Sequence, residues 1–288
     1  MTELLDIYLL EAVLNGLLLG GLFALLSLGL NLIFGVIDVV WICYAELMMC
    51  GMYAVYYLYV QFHWPLALAM LAAIGIVALL GFLLHQFVIR PVLAAEPINQ
   101  LLVTGGVLFF MQAAATLAFG IDFRNLGLAL PALRVGDMSF SAARLIAFGV
   151  ALLGVLGLFL FLNRTYVGTA IRAISQDRAV MPLMGVSGPR IFAITSALGG
   201  ALAGLGACLL VLQYDVHPAI GLSFGPIVFL ICVLGGLGNL LGGFAAAFVF
   251  AQFISIGGYF FAIEWGYVIA FAFFIAAMFW RPRGLFSR

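Results

Sequence analysis

The sequence of 288 residues contains no lysine, and all eleven of its basic residues are arginines. A P-loop nucleotide site needs a lysine on the phosphates, and a Schiff-base cofactor needs a lysine amine. The absence of lysine therefore excludes ATP hydrolysis by a P-loop and covalent cofactor chemistry of that kind. Any energy that the protein uses has to come from a gradient or from a partner protein.

Charge is also scarce, at 8% of the chain with a net charge of zero, so no electrostatic argument for nucleic-acid binding exists. The four cysteines, Cys43, Cys50, Cys208 and Cys232, lie in apolar stretches without CxxC spacing. We interpret them as buried thiols without a metal or disulfide role. The sequence indicates neither a metal site nor a bound cofactor.

Apolar residues dominate instead, at 67% of the chain with a mean hydropathy of +1.29. A soluble domain is about half apolar, whereas a membrane-spanning helix needs about 20 mostly apolar residues. The sequence therefore predicts an all-α integral membrane protein, a polytopic bundle of eight or nine transmembrane helices, some short or broken, in one domain over 1–288. Its acidic start, MTELLDIYLLEA, lacks a signal-peptide pattern, so we expect the first span to be retained.

Continuous apolar runs between short polar breaks place the spans along the chain. The run 38–60 contains Asp38 and Glu46 and is typical of a segment that begins as a half-helix, and the run 224–238 is short and opens beside Pro226. The predicted spans lie near 11–34, 38–60, 66–88, 100–120, 140–162, 191–213, 224–238, 240–260 and 264–281.

Arginine placement predicts the orientation of these spans, because short cytoplasmic loops are rich in Lys and Arg. Three regions contain such arginines: the loop after Arg90, the segment 164–190, and the tail RPRGLFSR. With these regions in the cytoplasm, the loops 61–65, 121–139 and 213–221 fall outside.

The segment 164–190, RTYVGTAIRAISQDRAVMPLMGVSGPR, is longer than a connection needs and has its own helical pattern. We predict an amphipathic helix near 171–185 with Ile171, Ile174, Val180, Leu183 and Met184 on one face, and with Gly185 as a C-cap. Such a helix either lies in the lipid interface or docks into the groove of a partner protein.

Glycine clusters indicate close helix packing and one sharp reversal. Gly16/Gly20, Gly200/Gly204 and Gly238/Gly242 are GxxxG pairs, which let helix backbones approach each other in a membrane. The run GGLGNLLGG at 235–243 is dense enough to predict a tight helical hairpin inside the bundle.

Glu46 is a candidate pathway residue because a carboxylate at membrane depth costs about 3 kcal/mol and usually faces a cavity or a partner. A purely structural role, accepting hydrogen bonds from nearby backbone, is the alternative. Trp41 and Tyr44 lie on the same segment, and Asn15 and Asn31 lie in the first span. These five residues form the predicted translocation pathway.

Three classes of function fit these features: a transport subunit driven by a separate ATPase, a secondary carrier or channel, and a membrane enzyme. Few intramembrane ionisable groups argue against a coupled carrier. The stretch GLSFG at 221–225 matches G-x-S-x-G, but no histidine follows Ser223 in the chain, so a serine hydrolase is disfavoured. The long helical segment without a nucleotide site favours the ATPase-driven subunit.

Over nearly its full length the chain resembles the membrane subunits of branched-chain amino acid ABC importers. The resemblance rests on NGLLLGGLFALLSLGLNLIFGVI (15–37), LMGV (183–186), RIFAITSALGGALAGLGA (190–207), VLGGLGNLLGG (233–243) and RPRGLF (281–286). Where family members often have an NFAHGE-like run, this chain has WICYAE (41–46), which keeps Glu46 and replaces the Asn and His by Trp41 and Tyr44. This difference leaves the identity of the solute open.

The resemblance implies a multi-pass permease of the bacterial inner membrane that works with a second, related permease chain. It further implies two cytoplasmic ATPase subunits and a periplasmic solute-binding protein. The residues expected to couple to the ATPase are Arg172, Asp177, Arg178, Leu183, Met184 and Gly185. The residues expected to dock the binding protein are Asp122, Arg124, Arg134 and Asp137.

Overall fold

The protein is described by a computed structural model that covers residues 2–128, 132–135, 138–178 and 181–286. Two π-helical turns, Tyr57–Gln61 and His85–Ile89, continue the second and third helices. The α-helices are α1 (Thr2–Ile37), α2 (Tyr44–Tyr56), α3 (Leu66–Leu84), α4 (Arg90–Val92), α5 (Pro97–Phe119), α6 (Ala142–Arg164), α7 (Tyr166–Gln176), α8 (Gly188–Leu210), α9 (Ile220–Gly235), α10 (Leu240–Phe260) and α11 (Ile263–Trp280).

Six of these helical segments are long and apolar enough to cross a membrane. The shorter apolar helices α9 and α11, together with the segment 44–61, bring the apolar segments of the described chain to the predicted eight or nine. The prediction of a polytopic, all-α membrane protein with short and broken helices is confirmed.

A small β-hairpin, which the sequence analysis did not predict, lies between α5 and α6. Strand β1 (Ala132–Val135) pairs antiparallel with β2 (Met138–Ser141), with Ala132 opposite Ser141. Four-residue strands are too short for alternation of polar and apolar residues to stand out in the sequence.

Helix α1 is the central element of the bundle and packs against α6, α8, α9 and α10. The consecutive residues Leu22, Phe23, Ala24 and Leu25, which together point in all directions around the helix, are all buried. A helix that is apolar all round is expected to be surrounded by other helices.

Glycines set a close helix crossing between α8 and α3. A Cβ atom added at Gly200 would lie 2.6 Å from the carbonyl oxygen of Val77, and one at Gly204 would lie 3.0 Å from the Cα atom of Ile74. Side chains at these positions would push the helices apart, so the predicted role of this GxxxG pair in close packing is confirmed.

The bundle has two ends. At the arginine-rich end, the backbone N–H of Leu285 donates to the carbonyl of Leu234 (2.8 Å), and the Asn239 amide donates to the carbonyl of Phe286 (2.9 Å). The C-terminal tail is thereby fixed to the turn between α9 and α10, which is the predicted hairpin. At the opposite end, Arg124 and Val216 form a backbone bridge between two connecting segments.

Candidate functional site

The first span ends abruptly at the arginine-rich end, and a non-helical linker follows it. Helix α1 stops at Ile37, Asp38 has a φ angle of +62°, and α2 starts only at Tyr44. A left-handed backbone is uncommon for a residue other than glycine, so this position is a defined break. The run 38–60 therefore begins as non-helical chain and not as the predicted half-helix, and most of the linker 38–43 is packed within the bundle, where such backbone is tolerated.

An apolar cavity of about 460 Å³ lies beside this linker. Trp41 and Tyr44 line one side of it, Leu101 of α5 lines another, and Gly221 and Gly225 of α9 close it. The structure therefore brings two of the predicted pathway residues, Trp41 and Tyr44, to one internal cavity. The Tyr44 hydroxyl is fixed by donating to the carbonyl of Gly199 (3.3 Å).

Glu46 lies behind the wall of this cavity, in the first turn of α2. Its side chain is 0% exposed, and neither carboxylate oxygen has a hydrogen-bond partner within the described part of the chain. The carboxylate contacts the backbone of Gly221, where any Cβ atom would overlap it. Burying a carboxylate without a hydrogen-bond partner costs free energy. Because Glu46 lies between the N-terminal ends of α2 and α9, a movement of either helix changes its surroundings.

The two predicted asparagines lie elsewhere. Asn31 is buried and accepts a hydrogen bond from the backbone N–H of Gly238 (3.1 Å), where the φ angle of +81° suits glycine. It ties α1 to the α9–α10 turn. Asn15 lines a cleft at the opposite end and accepts from the Arg144 guanidinium (3.1 Å). The five predicted pathway residues are thus divided among the cavity, its wall, the hairpin and an outer cleft.

Helix α7 in the segment 164–190 is built as an amphipathic helix. Thr165 caps its first turn by accepting a hydrogen bond from the N–H of Gly168 (3.0 Å), and Ile171 and Ile174 are buried against the bundle. Arg172 points outward between them and is exposed. The predicted helix exists, and its apolar face anchors it to the bundle.

The predicted extent of that helix, to residue 185, is wrong. Helix α7 ends at Gln176, because the backbone of Asp177 is extended and does not continue the helix. Leu183 and Met184 lie in a separate 3-10 turn, Met181–Met184, and are 84% and 73% exposed. They do not share the buried face of Ile171, because α7 ends at Gln176 and the 3-10 turn starts only at Met181. Val180 lies outside the described residues.

Gly185 ends the 3-10 turn, where the sequence analysis expected a C-cap of the longer helix. Its φ angle is +78°, and the N–H of Val186 donates to the carbonyl of Met181 (3.2 Å). The turn therefore presents two large apolar side chains away from the bundle. An exposed apolar pair on a rigid turn is a suitable contact for another protein.

An ion pair that the sequence analysis missed links this segment to the linker. The Arg178 guanidinium lies 3.9 Å from the Asp38 carboxylate and stacks over the Phe192 ring, 5.9 Å from its centroid. Both partners border a cleft of about 600 Å³ that also contains Gly238 of the hairpin. No sequence pattern joins Asp38 and Arg178, since the contact depends on how α7 folds back onto the end of α1.

Arg124, one of the residues predicted to dock a partner on the outer loop, is held within the chain by several contacts. Its guanidinium donates to the Tyr57 hydroxyl and to the carbonyl of Phe119, and it lies over the rings of Tyr56 and Tyr57 at 5.5 and 5.3 Å. Asp122 is exposed, Arg134 lies in β1, and Asp137 lies outside the described residues. The geometry gives Arg124 an anchoring role, joining the loop to the end of α2 and α5.

We predict that Arg124→Gln lowers the free energy of unfolding by about 2 kcal/mol, because the π-helical turn and the loop lose a charged hydrogen-bond donor. Thermal unfolding of the detergent-purified protein measures this loss. Asp122→Asn, which removes an exposed charge two residues away, is the matched control. If Arg124→Gln unfolds at the control temperature, the anchoring role is wrong.

The described residues contain no group of three or more His, Cys, Asp or Glu side chains that could bind one metal ion. The stretch 221–225, which matches G-x-S-x-G, forms the first turns of α9. A nucleophile elbow needs a strand, a sharp turn and then a helix. The local structure therefore gives no support to a hydrolase.

The chain is similar in sequence to permease proteins of branched-chain amino acid transport systems. The chain is 28% identical over 298 residues to the high-affinity branched-chain amino acid transport system permease protein BraD of Pseudomonas aeruginosa, covering 97% of this chain and 96% of that protein. It is 27% identical over 301 residues to the corresponding permease protein LivH of Escherichia coli K12, with 98% and 96% coverage.

A solved structure, described as PsaBC from Streptococcus pneumoniae in complex with Fab, matches the fold. The TM-score is 0.53 at 13% identity, over 93% of this chain and 91% of that one. At this identity the likeness concerns the fold alone.

The family model described as "Branched-chain amino acid transport system / permease component" matches residues 12–278. That match includes the linker, the segment 164–190 and the α9–α10 hairpin. The chain is therefore a multi-pass membrane protein that belongs to the family of branched-chain amino acid transport system permease components.

Proposed function

We propose that this chain is the transmembrane permease subunit of an ATP-binding-cassette importer in the bacterial inner membrane, and that it moves a branched-chain or related amino acid. The whole chain, 1–288, acts as one permease domain that includes the coupling segment 164–190. The observation that carries the proposal is the match to the permease family over residues 12–278. The relatives named for branched-chain amino acid transport align over nearly the full length.

ATP hydrolysis takes place on two cytoplasmic partner subunits in this proposal. The chain has no lysine for a P-loop of its own. By the positive-inside rule, the arginine-rich end faces the cytoplasm and places α7 and the 3-10 turn within reach of such partners. A second, related permease chain completes the pathway, as the resemblance to the family implies.

The coupling surface combines an apolar contact with charges around it. Leu183 and Met184 are the exposed apolar pair, and Arg172, Asp177 and Arg178 are exposed charged residues nearby in the chain. Apolar anchors surrounded by charge are typical of interfaces in which the charges fix orientation. Gly185 keeps the turn in the conformation that presents Leu183 and Met184.

The contacts of α7 provide a route from this surface to the cavity. Ile171 and Ile174 fix α7 to the bundle, and Arg178 contacts Asp38 at the start of the linker. A displacement of α7 therefore bears directly on the linker that contains Trp41. Rigid-body movement of packed helices is a common way to switch a pathway between two states.

At the opposite end, the solute arrives from a periplasmic binding protein. Asp122, Arg134 and Asp137 remain the proposed docking residues there, and Arg124 supports the loop from inside. Specificity lies mainly in the binding protein, which agrees with the weakly polar walls of the cavity around Trp41 and Tyr44.

Reconstitution tests this function. The chain is co-expressed with a second permease, ATPase subunits and a binding protein of this transporter family, and the purified complex is placed in liposomes. We expect ATP-dependent uptake of labelled L-leucine, with uptake at background level when ATP is replaced by a non-hydrolysable analogue. Uptake driven by an ion gradient without ATP would instead identify a secondary carrier.

A further inference from the structure

The outer cleft that contains Asn15 has the features of a ligand site. It has a volume of about 810 Å³ and lies among the first turns of α1, the start of α6, the end of α10 and the start of α11. Glu11, Asn15 and Arg144 line it together with Tyr8, Tyr214 and Tyr267. The sequence analysis did not single out Arg144, although an arginine in the first turn of a span, away from the other arginine clusters, is an unusual placement.

Two opposite charges face this cleft without neutralising each other. Glu11 and Asn15 are one turn apart on α1 and so lie on the same face. Arg144 donates to the Asn15 amide oxygen at 3.1 Å. Among the described side chains, the ion pair within 4 Å joins Arg178 and Asp38, so Arg144 and Glu11 are not paired with each other. A guanidinium has five N–H donors, so Arg144 keeps donors for a ligand.

The remaining walls are aromatic and apolar. Tyr8 is exposed at the rim, and Tyr214 and Tyr267 are half-buried in the wall. Burial raises the pKa of Tyr214, while the positive charge of Arg144 acts to lower it, which places the guanidinium near this ring. Such a cleft combines a cation, an anion and aromatic surface within the dimensions of a small molecule.

We propose that this cleft is a binding subsite for a zwitterionic α-amino acid, with Arg144 holding the carboxylate and Glu11 the ammonium group. An α-amino acid carries its carboxylate and its ammonium group on the same carbon. A site for it therefore needs a positive and a negative side chain next to each other that are not paired with each other. The tyrosines contact its apolar side chain. The inference extends the proposed function, on which it rests for the role of the site: here the solute first contacts the permease after release from the binding protein.

Photolabelling tests the subsite independently of transport. The complete complex in nanodiscs is irradiated with photo-leucine, a diazirine analogue of leucine, and the labelled peptides are identified by mass spectrometry. We expect labels in the stretches around Tyr8–Leu19 and 254–267. L-leucine competes, whereas L-leucinamide and 4-methylpentanoate, which each lack one charge, compete about tenfold less well.

Matched variants locate the two charges. Arg144→Gln and Glu11→Gln each reduce labelling at limiting photo-leucine about tenfold, since each removes a charge-assisted hydrogen bond. Arg190→Gln and Glu96→Gln, which remove exposed charges outside the cleft, leave labelling unchanged. Arg144→Lys keeps the charge and retains more labelling than Arg144→Gln, provided that all variants elute as the same monodisperse complex.

Three outcomes of the photolabelling and uptake experiments are informative. Labelling that maps elsewhere, or that is equal in Arg144→Gln and Arg190→Gln, overturns the subsite. Equal competition by L-leucine and its two derivatives overturns the zwitterion. A wild-type complex that labels as expected but imports no leucine with ATP contradicts the proposed function and leaves the subsite intact, so the two proposals fail separately.

Discussion

Replacing Arg172, Asp177 and Arg178 together, as Arg172→Gln, Asp177→Asn and Arg178→Gln, is expected to reduce ATP-driven uptake at least about tenfold without loss of folded protein. All three side chains are exposed and belong to the segment that also contains Leu183 and Met184. Their removal costs the bundle little, because exposed charges contribute little to stability. In a docked complex they become interfacial, where each charged contact matters to affinity and orientation. Uptake and ATPase activity are measured in the same proteoliposomes.

Two controls separate docking from other effects. Asp38→Asn removes the ion pair with Arg178 while leaving the coupling surface complete, so it isolates the contribution of that pair. Arg90→Gln removes an exposed arginine outside the coupling segment 164–190. We expect the control at Arg90 to retain most of the uptake, and the triple variant acts through docking if its loss of uptake exceeds that of Asp38→Asn. Full transport by the triple variant rules out a docking role for these residues.

A separate variant tests the apolar part of the coupling surface. Leu183→Ser with Met184→Ser is expected to release the ATPase subunits during co-purification, because apolar anchors at the centre of an interface supply most of its binding free energy. Phe62→Ser with Phe261→Ser, a pair similarly exposed away from the coupling segment, is the control. Retention of the ATPase by the first pair of substitutions contradicts the contact.

Features that depend on local sequence were predictable. Long apolar runs gave most spans to within a few residues, and α10 begins and ends at the predicted residues 240 and 260, whereas α1 begins at Thr2 and not near 11. The glycine-rich run 235–243 gave the hairpin, because Gly236 and Gly238 adopt positive φ angles there. The break before α2 was signalled by Asp38 and Glu46, two carboxylates in an otherwise apolar run.

Features that depend on packing between distant segments could not be predicted from the sequence. Leu183 and Met184 fit the helical period of Ile171 and Ile174, yet α7 ends at Gln176, and periodicity alone does not reveal such an ending. Arg144 carries no motif, and its meaning appears only when α6 brings it against Asn15 of α1. Arg124 appeared to be a free surface charge until the folded loop placed it on Tyr57.

The second large effect is expected at the contact between Glu46 and Gly221. Gly221→Val places a branched side chain where even a Cβ atom overlaps the buried carboxylate, so α2 and α9 have to separate. Overpacking of this kind costs about 1–3 kcal/mol and displaces both helices beside the cavity. We expect uptake to fall at least about tenfold and the unfolding temperature to drop. Gly75→Val, in α3, is the control, since nothing lies within 4 Å of a Cβ atom there.

A second substitution then separates the two possible roles of Glu46. Glu46→Ala in the Gly221→Val background removes the overlapping carboxylate and makes room for the valine, so the unfolding temperature should recover toward that of Glu46→Ala alone, a coupling that a double-mutant cycle quantifies. If the carboxylate acts in transport, uptake stays low in the double variant although folding is restored. If uptake returns together with stability, Glu46 is a structural residue and the pathway runs along the Trp41 and Tyr44 side of the cavity without it. Because the carboxylate is fully buried beside the cavity and has no hydrogen-bond partner within the described chain, we expect the first result.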